Sequence, residues 1–349
     1  MPVLNPMDAP AIRWGILGAG TIADRFARAV SQWTSSSIHA VGARSKRGAQ
    51  SFADTHAIPT AYEGYHDLVA DSEIDAVYVA TPHSFHADHA ILAIKAGKPV
   101  LVEKPLTHTS ASAHALVAAA REQGVFAMEA MKTRHLPHVA AIHDLIDNGE
   151  IGDIVYIQAD HSQCLTHVPR LLDPTLAGGA LLDLGVYPVS FVVDFLGLPT
   201  KVTARGRLTD RGVDAHSTAL LEYPNAHAVM TTSFTGYGEN RATIVGTEGH
   251  ISIDGYFFNA TSFRVHRRDG ASWTFDGSPP NGLQYEAAEV ARCLAAGECE
   301  SARMPLDESI AIVELLDSIR QQIGVIYPHE PTSSAIHNSF QQSSKGITS

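Results

Sequence analysis

A chain of 349 residues with 45% hydrophobic and 18% charged residues has the composition of an ordinary globular protein, long enough for two cores. Its formal net charge of -12 argues against nonspecific partnership with nucleic acid or an anionic membrane surface, since both are themselves negative. No stretch holds the roughly 18 uninterrupted apolar residues of a membrane span. Residues 1–10 lack the basic-then-apolar order of a secretion signal, and Cys164, Cys293 and Cys299 show no metal-type spacing, so a cytoplasmic protein with reduced thiols and no metal is expected.

The first strand signal, Ile12-Arg13-Trp14-Gly15-Ile16-Leu17, runs into Gly18-Ala19-Gly20-Thr21-Ile22-Ala23. This is the G-x-G-x-x-A form of a dinucleotide fingerprint. Gly18 permits the tight turn, Gly20 lets a pyrophosphate approach the backbone, and small Ala23 lets the next helix pack close to the strand. That helix opens at Thr21 and Ile22, carries Phe26, Ala29 and Val30 on the face of Ile22, and offers N–H groups and a positive dipole end to phosphate. The second strand, Ile38 to Ala43, ends in Arg44-Ser45-Lys46-Arg47 rather than in the acidic residue that binds the ribose 2'-hydroxyl of NAD. Arg44 and Ser45 suit a 2'-phosphate, with Lys46 or Arg47 adding charge, so NADP is expected in preference to NAD. Arg44 stacked on adenine or left in solvent would admit both, and NAD stays open.

Further units follow as a short helix from Tyr65 to Ala70, a buried strand from Ala76 to Thr81, then Pro82 and a helix from His86 to Ala96 ending at Gly97. The stretch Lys98-Pro99-Val100-Leu101-Val102-Glu103-Lys104-Pro105 reads as a doubly buried strand closed by proline. In open parallel sheets ligands sit beyond the carboxyl ends of strands, which sets Thr81, Pro82, Glu103 and Lys104 where a cofactor and chemistry belong. A helix from Ser110 to Gln123, a strand from Val125 to Met128 and a helix from Pro137 to Asp147 complete a strand-helix alternation that means a doubly wound parallel sheet. His83, His86 and His89 recur every third residue without a Cys or carboxylate to complete a ligand set, so they read as helix-entry residues, with His86 near the nicotinamide end.

Beyond Gly152 the texture changes to alternating strands: Ile154 to Gln158, Lys201 to Leu208, Thr218 to Tyr223, Ala228 to Phe234, Ala242 to Val245 and Ile251 to Asp254. Such a run implies a mostly antiparallel sheet with one open face, a natural surface for oligomer contact. Helices from Leu283 to Ala296 and Leu306 to Ile323 are expected to return toward the first domain, and the Ser-, Gln- and His-rich tail from Pro328 reads as disordered. The expected division is a dinucleotide domain over 1–131, a substrate and oligomerisation domain over 132–327 and a tail over 328–349. One helix interrupts the strands, from Gly178 through Phe195, and sets Asp183 and Tyr187 on one face with Pro188 kinking or restarting it. An Asp favouring the helix dipole and a Tyr burying its ring would explain the same pair without chemistry.

Taken together, Gly18-Ala19-Gly20, Thr81-Pro82 with His86, Ala96-Gly97-Lys98-Pro99, Glu103-Lys104-Pro105 and Asp183-Leu184-Gly185-Val186-Tyr187 resemble the Gfo/Idh/MocA oxidoreductases over nearly the whole chain. The resemblance implies an N-terminal Rossmann domain, a C-terminal α+β domain on a large open sheet, and nicotinamide-dependent oxidation or reduction of sugars, polyols or cyclic diols. It also implies a homodimer or homotetramer built through that sheet. Ala43-Arg44, Met128-Glu129-Ala130 with Thr133-Arg134 and Pro137, and Tyr187 make the chain most similar to the dihydrodiol dehydrogenase and NADP-dependent xylose dehydrogenase branch. That branch usually has Trp where this chain has Lys132, which turns the expectation from an aromatic ring toward a polyhydroxylated or carboxylated substrate.

On this footing Tyr187 is the expected acid/base and Lys104 its activator, because a nearby cation lowers a phenol whose ordinary value near about 10 is poorly matched to neutral pH. The two roles could also be exchanged. Asp183 is expected to orient a substrate hydroxyl or Lys104, with Lys132, Arg134, His161 and His167 around the substrate. A keto-sugar oxidoreductase acting at a ring carbon is one alternative, and a non-catalytic nucleotide sensor is another that would not need the Lys104, Asp183 and Tyr187 set.

Overall fold

The computed structural model describes residues 3–277 and 282–328. The first half is a parallel sheet of β1 (Arg13–Leu17), β2 (Ser37–Ala43), β3 (Thr60–Glu63), β4 (Ala76–Val79), β5 (Val100–Glu103) and β6 (Ala127–Ala130), in the order β3-β2-β1-β4-β5-β6. This is the doubly wound order, which reverses direction between β1 and β4 and opens a ligand crevice there. The strands are apolar on both faces because both are covered. Leu17, Val77, Val79, Val100 and Val102 pack toward α3 (His66–Ala70), α4 (His86–Lys95) and α5 (Ser110–Gln123), while Trp14, Ile16, Tyr78, Leu101 and Met128 face the core shared with α1 (Thr21–Trp33) and α2 (Lys46–His56).

After α6 (Pro137–Asp147) comes an eight-stranded sheet of β7 (Ile154–Ser162), β8 (Lys201–Leu208), β9 (Asp214–Glu222), β10 (His227–Ser233), β11 (Ala242–Gly246), β12 (Gly249–Ile253), β13 (Phe263–Arg267) and β14 (Ser272–Phe275). Its order is β14-β13-β12-β11-β7-β10-β9-β8, antiparallel throughout except for β7 against β10. Alternation is clean: Ile157, Ala159, Ala219 and Leu221 point inward, and Tyr156, Gln158, Thr218 and Leu220 are exposed. The inner face is covered by α7 (Val186–Leu196), the end of a run, Pro174–Leu196, that is long and apolar enough for a membrane span and whose most apolar window is 89% buried inside this fold. Of the two last helices, α8 (Leu283–Ala296) packs on α1, and α9 (Leu306–Ile323) lies against both α5 and β8, joining the two halves.

Three departures from the sequence reading have physical causes. Helix α2 goes unread because its buried stripe is only Ala49, Phe52 and Ala53, with Gly48 inside it. Strands β13 and β14 close the sheet at its edge and go unread: β13 alternates only from Phe263 to Val265, and β14 exposes most of its side chains. The helix expected from Gly178 is not uniform: Leu181–Gly185 is a wide π turn and the regular helix starts at Val186. The expected disordered tail falls, past Pro328, outside the described residues.

Candidate active site

At the first turn, Gly18 has φ +107° and its N–H donates to Gly42 O at 2.9 Å. A Cβ there would meet Ala80 O at 2.6 Å, so only glycine fits. At Gly20, by contrast, a Cβ would meet nothing within 4 Å, and no side chain caps the N–H groups of Thr21 and Ile22. Open space before an uncapped helix N-terminus is what a pyrophosphate needs, so these residues fit a dinucleotide. Ala43 ends β2, and Arg44, Ser45, Lys46 and Arg47 follow it exposed, with Ser45 Oγ accepting from Gly48 N to cap α2.

The carboxyl ends of β4 and β5 are braced from beneath. Glu103 accepts from the Tyr78 hydroxyl and from Lys104 N at 3.2 Å, and Glu129 Oε1 accepts from Leu106 N at 2.9 Å. His86 is fully buried, with its two ring nitrogens 2.9 Å from the carbonyls of Pro105 and Thr81. It thus ties the Thr81-Pro82 turn to the Lys104-Pro105 turn and presents no atom to a cofactor. Its two neighbours have separate partners, His83 at Ala177 O and His89 at Thr81 Oγ1, and among the described residues no group of three or more His, Cys, Asp or Glu is placed to hold a metal ion.

Asp183 and Tyr187 come to this edge from the other half because of Pro188. A proline has no N–H, so the carbonyls four and five residues before it, Leu184 O and Asp183 O, lose the helix donor they would otherwise have. Both are filled from elsewhere: His161 Nδ1 donates to Leu184 O at 3.1 Å, and Lys104 Nζ donates to Asp183 O at 2.7 Å. The start of the turn is held by Asp214, whose buried carboxylate accepts from Leu181 N at 2.7 Å and stands where a Gly179 side chain would be.

Around this turn the groups converge. Lys104 Nζ lies 4.9 Å from the Tyr187 ring centroid and 3.7 Å from Asp183 Oδ1, while Arg170 reaches the same oxygen at 2.9 Å and His83 Nε2 is 3.6 Å away. Burial works to raise the Asp183 carboxyl, but Lys104 and Arg170 outweigh it and hold it well below the usual carboxylate range. His83 itself is pushed well down by burial and stays neutral. For Tyr187 the structure corrects the expectation of a lowered phenol. Burial drives it well above its ordinary value, and Glu103 and Asp183 push the same way, so Tyr187 is held as a neutral phenol.

Lys132 Nζ stands 5.9 Å from the ring centroids of both Tyr187 and Phe258 and donates to Asn259 Oδ1 at 2.5 Å. His161 stacks on Phe258 with centroids 3.7 Å apart, and burial lowers it to about 3, so it is a neutral wall. His167 is exposed in the loop leading to Arg170, and no contact joins it to Tyr187. Arg134 is drawn away: it pairs with Asp194 at 3.2 Å and Glu308 at 2.5 Å and donates to Ser190 O at 3.0 Å, which makes it a strut between α7 and α9. It borders a separate cleft of about 580 Å³ together with His143 and Arg303. The sequence reading missed Arg170, which sits in an aperiodic loop, and Phe258 with Asn259, whose aromatic run reads as core. No pattern in the chain could pair a residue from those loops with Asp183 or Lys132.

With this geometry established, comparison with known proteins is informative. Residues 12–131 match the model of the oxidoreductase family with an NAD-binding Rossmann fold, and residues 139–252 match the GFO/IDH/MocA C-terminal domain. Trans-1,2-dihydrobenzene-1,2-diol dehydrogenases are similar along their length: that of Macaca fascicularis is 37% identical over 92% of this chain and 99% of its own, and that of Mus musculus is 38% identical with the same coverage. Among solved structures, a 3-ketoreductase from Actinomadura kijaniata in complex with NADP and TDP-benzene is 29% identical with a TM-score of 0.80, covering 91% of this chain and 99% of that one. An aldose-aldose oxidoreductase from Caulobacter crescentus shares the fold, with a TM-score of 0.82 at 23% identity over 90% of this chain and 97% of that one. With both halves matched, and relatives of this identity along its length, the chain belongs to the Gfo/Idh/MocA oxidoreductase family.

Proposed function

We propose that the protein is an NADP-dependent dehydrogenase or reductase acting at a CH–OH carbon of a sugar, polyol or cyclic diol. The observation that carries this reading is the meeting of Lys104, Asp183 and Tyr187 at the carboxyl end of β5, beside a cradle that fits a dinucleotide. Hydride exchange is the chemistry a nicotinamide supplies when bound. The chain's own part is the proton and the developing charge on oxygen. A phenol held neutral gives its proton to a carbonyl becoming an alcohol, and the Lys104 ammonium stabilises negative charge on that oxygen. In the oxidising direction the same side chain must first be a phenolate to take the alcohol's proton, and the Lys104 ammonium is the charge that favours that form. Asp183, ionised and fixed by Lys104 and Arg170, accepts from a neighbouring substrate hydroxyl and so orients it.

Arg44 and the cations after it support NADP over NAD, since a doubly charged 2'-phosphate gains more from them than a hydroxyl does. The exposed face of the eight-stranded sheet, with Tyr156 and Leu220 each 37% exposed, supports a homodimer or homotetramer, which light scattering tests. The likeness to a 3-ketoreductase favours a ring-carbon ketone as the second reading. The deciding experiment follows nicotinamide absorbance with purified protein, NAD and NADP against aldoses, inositols, glycosides and cyclic diols. NADP reduction with one class supports the proposal, whereas tight cofactor binding without any turnover overturns it in favour of a nucleotide sensor.

A further inference from the structure

Lys132 is a cation without a counter-charge of its own. Among the described residues its ammonium makes one hydrogen bond, to the neutral amide of Asn259 at 2.5 Å, and no ion pair. Two of its three N–H groups are therefore uncommitted. The groups that face it are Glu286 from α8, Glu103 from β5, Arg25 from α1 and Lys104. Burial lowers Lys132 to about 8; the two carboxyls oppose that, and the two cations add to it. The carboxyls do not supply two negative charges. Burial raises both, they repel one another, and the Glu286 oxygens have no hydrogen-bond partner among the described residues, which is the setting of a protonated acid.

Position decides what the spare charge serves. The Lys104 and Lys132 ammoniums flank one ring, at 4.9 and 5.9 Å from the Tyr187 centroid, but only Lys104 is matched by Asp183. A half-buried ammonium costs free energy unless an anion completes it, and this one stands beside the ring of Tyr187, next to which the reacting carbon must lie if Tyr187 handles its proton. We infer that the substrate carries a carboxylate, held by Lys132 next to Asn259, so that the site takes sugar acids in preference to neutral sugars. The inference rests on reading the site as a hydride-transfer centre. It adds a substrate class to that reading, and no further step to the chemistry.

The test compares matched pairs, glucose with glucuronate and galactose with galacturonate, on the full-length protein with saturating NADP. The expected kcat/KM for the uronate exceeds that of its neutral partner about tenfold or more at neutral pH. That ratio should fall as pH rises through about 8, where Lys132 loses its charge. Lys132→Met should bring the ratio near one and Lys132→Arg should restore it; because the ratio is internal to each variant, general loss of activity divides out. Neutral sugars turned over as well as uronates, or a ratio that survives in Lys132→Met, overturns the inference while leaving the dehydrogenase reading intact. A tenfold loss of NADPH affinity in Lys132→Met overturns it too, by giving Lys132 to a cofactor phosphate. If no sugar, polyol or cyclic diol turns over, the dehydrogenase reading fails by itself. The carboxylate is then read by thermal shift of the NADPH complex with glucuronate against glucose, and the lack of a Lys132-dependent difference overturns it.

Discussion

Tyr187 shows how a side chain's surroundings set its chemistry. A phenol pushed well up by burial and nearby carboxyls keeps its proton at neutral pH, so it is loaded as a donor and is not available as a base. Tyr187→Phe should therefore lower kcat by about 100-fold or more, with NADPH affinity retained by fluorescence titration. If Tyr187→Phe turns over normally, Lys104 is the proton donor and Tyr187 only its platform. Arg170 acts at one remove: it helps keep Asp183 ionised, so Arg170→Met should move the acid limb of the kcat/KM profile upward as that carboxyl rises. The proposed catalytic trio is legible in the sequence because each member lies in a recognisable local signal: a strand end before proline, or one face of a helix. Arg170 and Asn259 are not legible, because their neighbours are set by loops that fold against distant elements, and Arg134 was misread because a charged residue beside a motif looks the same whether it meets substrate or a buried carboxylate.

For the helix that carries Asp183 and Tyr187, the decisive residues are Pro188 and Asp214. The wide turn before Val186 leaves two carbonyls that Lys104 and His161 occupy. Pro188→Ala gives the helix back a donor for one of them, so turnover should drop while the unfolding midpoint holds or rises, which kinetics and a thermal melt read together. Asp214 carries a sign that can be checked. Burial, against three backbone hydrogen bonds, raises it to about 7, whereas an unfolded Asp titrates near about 3.9. Between those values the folded protein holds a proton that the unfolded chain releases, so this group's contribution to stability is fully present below about 4 and is lost as pH rises through about 7. The stability of the wild type relative to Asp214→Asn should accordingly grow as pH is lowered from 7 to 4 in denaturant titrations. Comparing the two proteins at each pH removes the opposing contribution of buried His86, His138 and His161, all lowered by burial to about 4 or 3. The sequence foretold a break at Pro188; it could not show that the break falls before the proline, because that depends on donors supplied by β5 and β7.

At the scale of the whole molecule the strands of the first half other than β3 were readable because both their faces are buried, and those of β7 to β12 because only one is, whereas the short, half-exposed β3 went unread. Which strands neighbour one another in the larger sheet is a long-range matter that alternation does not encode, and the parallel pairing of β7 with β10 has no local signature. Cofactor choice also belongs here, since Arg44 follows β2 and Lys104 follows β5, with β1 and β4 between them in the sheet. Arg44→Ser should raise the Kd for NADP about tenfold or more and leave NAD little changed, as measured by titration with each nucleotide. The Lys104 ammonium, finally, belongs to the dinucleotide half, and the carbonyl it holds belongs to the substrate half. On the proposed mechanism it is therefore a latch as well as a catalytic group. Any hinge motion that widens the cleft must break that charge-assisted bond and withdraw Lys104 from Tyr187 in the same stroke, so an open molecule is disarmed, and reactive geometry returns only on closure.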